Sequence, residues 1–158
     1  MTSYVVMGVS GCGKSSIGAG VAAALGARFI DGDDLHPPAN IAKMSRGQPL
    51  NDDDRAPWLA LVGQALAQGN TIVACSALKR IYRDQIRAQA DTVFLFLRGQ
   101  RETLLARMAA RPGHFMPPSL LDSQLATLEP PQADEAHLVQ DIEASPAQII
   151  AGFLEGLK

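Results

Sequence analysis

The sequence predicts an α/β fold, an open and doubly wound sheet of five parallel strands with helices on both faces. Two observations carry it. Five short apolar runs alternate with helical stretches: Tyr4 to Met7, Ala27 to Ile30, Thr71 to Cys75, Thr92 to Leu97 and Leu138 to Ile142. Runs this short and apolar are those of strands buried on both faces, and right-handed crossovers restrict their topology. The first run also leads directly into Gly8-Val9-Ser10-Gly11-Cys12-Gly13-Lys14-Ser15. That is the G-x-x-x-x-G-K-S spacing of a phosphate-cradling turn between a strand and a helix.

The glycines of that turn let successive backbone N–H groups point inward at phosphate oxygens without a Cβ clash. Gly8, Val9, Ser10, Gly11, Cys12, Gly13, Lys14, Ser15 and Ser16 are therefore the expected nucleotide site. Lys14 would reach the β and γ phosphates and the Ser15 hydroxyl would ligate Mg²⁺. The alanine-rich stretch from Ile17 to Leu25 continues the helix, with Gly26 placed to cap it. Its N-terminus adds unpaired N–H groups and a positive dipole end.

With 158 residues the chain reads as one domain, and 47% hydrophobic against 19% charged residues fits a soluble globular protein. A net charge of −2 and no basic block argue against a nucleic-acid partner. No apolar run is long enough to span a membrane and no secretory leader is evident, so the expected location is the cytoplasm. Cys12 and Cys75 are the only cysteines and lack zinc-ligand spacing. No disulfide is expected between them, and Cys12, on the nucleotide turn, is expected to be sensitive to alkylation.

In sheets of this kind ligands bind beyond the carboxyl ends of the strands. After the second strand, Asp31, Asp33 and Asp34 place three carboxylates within four residues, where one would hold Mg²⁺ through water and another accept a proton from an attacking hydroxyl. A helix is expected from about Arg55 to Gln68, capped by Asn51 or a neighbouring aspartate, with Pro57 in its first turn and Leu59, Leu61, Val62 and Leu66 on its apolar side. Trp58 reads as a packing residue. Arg55, at the unfavourable end of a helix dipole, asks for an anion. Beyond the third strand, Lys79 and Arg83 stand one helical turn apart, able to hold a carboxylate or sugar hydroxyls. Arg107, Arg111, Pro112, Gly113 and His114 read as a lid that excludes water and brings arginine to the transferring phosphate. The turn Ala144-Ser145-Pro146 is either an adenine rest or a plain strand-to-helix turn.

These residues resemble the gluconokinase family of small phosphate-loop sugar-acid kinases, relatives of shikimate and adenylate kinases. The resemblance is carried by Met7 to Gly11, Asp31-Gly32-Asp33 with Leu35-His36-Pro37, Asn40 to Met44, Pro49 to Arg55 with Pro57-Trp58, Cys75 to Lys79, Tyr82-Arg83-Asp84 and Gly113-His114-Phe115. It covers nearly the whole chain. Cys12 stands where serine is common in the family.

The resemblance implies a three-layer α/β/α kinase domain over 1–158, with a substrate region at about 33–66 and a lid at about 107–130. It implies transfer of the ATP γ-phosphate to D-gluconate with Mg²⁺, in the cytoplasm and by a homodimer. Lys14, Asp33 and Arg111 are then the expected catalytic residues, with Asp33 orienting or deprotonating the substrate hydroxyl. Ser15 and Asp31 are expected at the metal, Arg107 at the nucleotide, and Asp33, Arg55, Lys79, Arg83 and His114 at the substrate. Another small acceptor, such as shikimate, a nucleoside monophosphate or a different sugar acid, or a nucleotide-gated switch, remains an open alternative on the residues alone.

Overall fold

All five expected strands form, each within one residue of its expected ends, in a computed structural model that describes residues 2–110 and 118–158. In chain order the elements are β1 (Ser3–Met7), α1 (Lys14–Leu25), β2 (Arg28–Asp31), a 3₁₀ turn (Gly32–Leu35), α2 (Pro38–Ser45), α3 (Asp52–Ala67), β3 (Thr71–Ala74), α4 (Arg80–Arg87), β4 (Thr92–Arg98), α5 (Arg101–Ala109), α6 (Pro118–Thr127), β5 (His137–Asp141) and α7 (Pro146–Gly156). The sheet is parallel throughout, in the order β2-β3-β1-β4-β5.

Strand side chains alternate between faces, so the sheet makes two cores. Val6, Ile72 and Leu95 pack with Ile17 and Val21 of α1 and with Ile149 and Phe153 of α7. Val5, Met7, Val73, Phe94 and Phe96 face the other way, onto Trp58, Leu59, Val62 and Leu66 of α3 and Ile86 of α4. Full burial of each such side chain stabilises the fold by about 1.5–3 kcal/mol before entropy is counted. Register then decides function: Asp31 lies opposite Ala74, which lies opposite Val6, so the end of β2 and the glycine turn after β1 open on the same edge.

Two local expectations need correcting. α3 starts at Asp52, three residues early, because Asn51 and Asp54 form a reciprocal capping box: Asn51 Oδ1 accepts from the Asp54 N–H at 2.7 Å, and Asp54 Oδ2 from the Asn51 N–H at 2.9 Å. Pro57 therefore sits inside the helix, where it leaves the Asp53 carbonyl without its helical donor. Leu61 is also exposed rather than buried, since two residues along a helix from Leu59 is about 200° around it.

Candidate active site

The glycine turn is built by backbone conformation. Gly13, at φ 90°, is the left-handed N-cap of α1, and Gly26, at φ 65°, ends it. Lys14 folds back so that Nζ donates to the Val9 carbonyl at 3.1 Å. Ser15 Oγ donates to Asp31 Oδ2 at 3.2 Å, which joins the first turn of α1 to the end of β2. The other oxygen, Asp31 Oδ1, accepts from the Asp33 N–H at 3.0 Å and caps the 3₁₀ turn. Asp31 thus touches both the expected phosphate site and the backbone of the expected base. Ser16, in the first turn of α1, is exposed.

Asp33 is exposed, and among the described residues its carboxylate accepts no hydrogen bond. The turn that carries it is tightly placed. A Cβ at Gly32 would collide with the Ala74 carbonyl oxygen, and the Gly32 carbonyl accepts from Trp58 Nε1 at 2.8 Å. Trp58 is buried and stacks on the His36 ring with centroids 4.2 Å apart, so it packs as expected. Burial holds the His36 imidazole below its usual range, more than the Asp33 charge raises it.

A second group of side chains lies one turn before Trp58. Leu50, Asn51, Asp52, Asp53, Arg55 and Lys79 line an open hollow of about 500 Å³. Beneath it the Tyr82 hydroxyl donates to Asp52 Oδ1 at 2.6 Å and accepts from Arg55 Nη1 at 3.2 Å. The Arg55 guanidinium and the Lys79 ammonium stand 5.4 and 5.6 Å from the Tyr82 ring centre. Lys79 Nζ is also 3.6 Å from Asp52 Oδ1. The Tyr82 hydrogen bond, more than the Lys79 charge, holds the Asp52 carboxyl below its usual range. The hollow sets two cations beside two carboxylates, Asp52 and Asp53, a lining that can take a carboxylate at Arg55 and Lys79 and hydroxyls at the aspartates and Asn51.

Arg83 does not join them, although Lys79 does. Its side chain is fully buried, with Nε 2.7 Å from Glu135 Oε1 and Nη2 3.2 Å from Oε2. Its other hydrogen bonds go to the carbonyls of Ala77 and Glu129, each at 2.8 Å. The helical spacing from Lys79 takes no account of the burial of α4 against the segment before β5, and all three guanidinium nitrogens of Arg83 are hydrogen-bonded to that segment or to Ala77. Burial pushes the Glu135 carboxyl up, but hydrogen bonds from Arg83, the Gln132 N–H and Arg87 outweigh it and hold it at about 2.

Cys12 and Cys75 are free and buried, as no expected disulfide required otherwise. The expected alkylation of Cys12 does not fit its surroundings: only 1% of the residue is exposed, and burial raises its thiol pKa against the lowering charge of Lys14. Cys12 contributes backbone to the turn. Arg107 Nη2 donates to the Ile142 carbonyl at 2.5 Å, which places it beside the turn after β5. In that turn Ser145 and Gln148 form a capping box, so the plain structural reading of Ala144-Ser145-Pro146 has a physical basis. Arg111 and His114 lie outside the described residues. Asp52 and Tyr82 were not assigned roles from the sequence, although Tyr82 follows Lys79 by one helical turn, a spacing that would have found it.

Among the described residues no cluster of three or more His, Cys, Asp or Glu side chains suits a metal, and no helix is long and apolar enough to cross a membrane. A family model described as shikimate kinase matches residues 10–157. The thermosensitive gluconokinase of Escherichia coli K12 is 54% identical over 144 residues, covering 87% of this chain and 77% of its own. The thermoresistant gluconokinase of the same organism is 46% identical, with 98% and 93% covered. The crystal structure of a gluconokinase from Sinorhizobium meliloti 1021 superposes with a TM-score of 0.91 at 52% identity, covering 99% of this chain and 91% of that one.

Proposed function

The chain belongs to the gluconokinase family of phosphate-loop kinases, and from that premise we propose that it transfers the γ-phosphoryl group of ATP to D-gluconate, giving 6-phospho-D-gluconate. The observation that carries this reading is continuity. Ser15 holds Asp31, Asp31 holds the Asp33 backbone, Gly32 holds Trp58, and α3 presents Arg55 one turn earlier to the hollow that it lines with Lys79.

The loose transition state of phosphoryl transfer leaves the protein mainly positioning and charge to supply. Lys14 and the N-terminal amides of α1 hold the phosphates. Arg55 and Lys79 take the gluconate carboxylate, and Asp33 orients or accepts the proton of the attacking hydroxyl. The donor set fits Mg²⁺, since Ser15 Oγ and Asp31 Oδ2 are two hard oxygens 3.2 Å apart at a site that substrate phosphates would complete. When bound, Mg²⁺ would neutralise charge on the phosphates. Arg107 serves the nucleotide, Arg111 the developing charge and His114 the substrate. The enzyme is one domain over 1–158, with its substrate region at about 33–66 and its lid in the part of 107–130 that precedes α6, whose Leu121 is buried in the core, and works as a cytoplasmic homodimer.

The test is an ADP-release assay with ATP and a panel of acceptors. Gluconate should stimulate ADP release far above the acceptor-free rate, and shikimate, nucleoside monophosphates and other sugar acids should not. Equal stimulation by shikimate, or none by gluconate, would overturn the assignment.

A further inference from the structure

One hydrogen bond to the glycine turn comes from far along the chain. The Ser10 N–H donates to Gln124 Oε1 at 2.7 Å, from turn to α6 across 114 residues. The same peptide group offers its other end, the Val9 carbonyl, to Lys14 Nζ at 3.1 Å. In a planar trans peptide the C=O and N–H point in opposite directions, so an acceptor fixed on one side turns the carbonyl toward the other. We propose that Gln124, through the Val9–Ser10 peptide, is a positioning residue for the phosphate-binding Lys14.

Within the turn the Cys12 N–H also reaches the Val9 carbonyl, at 3.4 Å, a long hydrogen bond that holds the peptide weakly. Gly8 and Gly11 flank this peptide at φ 149° and 85°, and glycines leave its neighbours free to rotate. Hydrogen bonds at both ends of one peptide also polarise it and strengthen one another. The clamp stands on a fixed platform. Leu121 is fully buried in the core, with Leu125 and Leu128 packed against it. The Glu129 N–H donates to the Leu78 carbonyl at 2.7 Å just past the helix end, whereas the exposed Arg101–Asp122 pair, Nε 2.6 Å from Oδ1, adds little to that hold. Gln124 is three residues from Leu121, so it shares the core-facing stripe, where a polar side chain without a partner would be costly. Lys14 is part of the known phosphate machinery of such turns; Gln124 acts on it from outside the motif.

The experiment compares Gln124→Met, which keeps length and helix propensity but removes the acceptor, with Gln124→Glu, which retains one, and with Asp122→Ala, which removes the exposed pair on α6 without touching Ser10. In Gln124→Met the Ser10 amide proton should move upfield in the NMR spectrum, and the KM for ATP should rise between about three- and tenfold with the gluconate KM within about twofold. In Gln124→Glu the amide proton should stay downfield, and in Asp122→Ala both readouts should stay near wild type. An unmoved Ser10 amide in Gln124→Met, an unchanged KM for ATP, or an equal rise in both KM values would overturn the proposal. If Gln124→Met does not fold, hydrogen exchange at Ser10 in the wild-type protein decides: protection is expected, and exchange at the rate of an open loop overturns it. The kinetic arm rests on the kinase reading, whereas the amide signal reads the hydrogen bond itself. Should no acceptor be phosphorylated, calorimetric binding of a non-hydrolysable ATP analogue takes the place of KM.

Discussion

The Tyr82 hydroxyl accepts a hydrogen bond from Arg55 Nη1 at 3.2 Å, joining α4 to the first turns of α3 at the hollow that Arg55 and Lys79 line. Because the same hydroxyl donates to Asp52, it fixes an arginine that would otherwise have several rotamers to choose among. Removing it in Tyr82→Phe leaves the ring and its cation contacts in place. A hydrogen bond to a charged group contributes roughly 1.5–3 kcal/mol, so the KM for gluconate should rise about tenfold or more while that for ATP stays put. Steady-state kinetics with each substrate varied in turn measures both. An unchanged gluconate KM would remove Tyr82 from any positioning role.

Arg83 and Glu135 make a different prediction, one about stability. The Glu135 carboxyl lies at about 2 in the folded protein against an ordinary 4.5, a gap worth about 3 kcal/mol. A folded-state value below the unfolded one means this stabilisation is complete above pH 4.5 and is lost as the pH falls toward 2. Urea unfolding at steps between pH 6 and pH 2.5 should show that loss. Glu135→Gln should be less stable at pH 6 and should lack this part of the slope. Arg83→Met should be destabilised by about 3 kcal/mol or more, because it takes away the buried partner of Glu135, leaving that carboxylate to Arg87 and the Gln132 N–H, and strips the Ala77 and Glu129 carbonyls of their donor. Gluconate KM in any folded Arg83 variant should stay near wild type, in contrast to Arg55→Ala.

The sheet was legible because its signals are local. Apolar runs, a glycine turn with Lys14 and Ser15, and Gly26 at a helix end each act within a few residues. Arg55 stood out for a related reason, since a cation near a helix N-terminus is a local misfit that asks for an anion, whereas Lys79 was read with Arg83 from helical spacing and only Lys79 lines the hollow. Arg83 was misread because its partner, Glu135, is 52 residues away, and helical spacing says nothing about which face of α4 another segment covers. Gln124 escaped for the same cause, with a partner 114 residues distant. Asp52 read as one acidic residue among three, and only the fold sets its carboxylate against Tyr82 and Lys79.

Cys12 tests whether burial outweighs charge. Lys14 is close enough to favour a thiolate, with Nζ 4.0 Å from Cys12 Sγ, yet burial raises the thiol pKa. Cys75 is pushed up to about 12 by burial as well. At pH 8 the native protein should therefore react slowly with iodoacetamide at both thiols, and rapidly once unfolded in urea. Mass spectrometry of the quenched protein separates the two sites. Fast labelling of Cys12 in the native state would show that the turn opens far more often than its packing implies.

On the proposed reading Asp33 takes the proton of the attacking hydroxyl, and its surroundings make the substitution unusually clean to interpret. Its carboxylate is exposed and its backbone is held by Asp31 rather than by its own side chain, so Asp33→Asn should fold with an unchanged Tm. Losing a general base typically costs 10²–10⁴-fold, so kcat should fall by about that factor with both KM values within a few-fold. Asp31→Asn supplies the contrast. It keeps one oxygen for the Asp33 N–H but weakens the pair with Ser15, so its main effect should be a higher Mg²⁺ requirement. If Asp33→Asn instead keeps a near-normal kcat, the hydroxyl proton passes to a phosphoryl oxygen as the loose transition state permits, and Asp33 has no part in the chemical step.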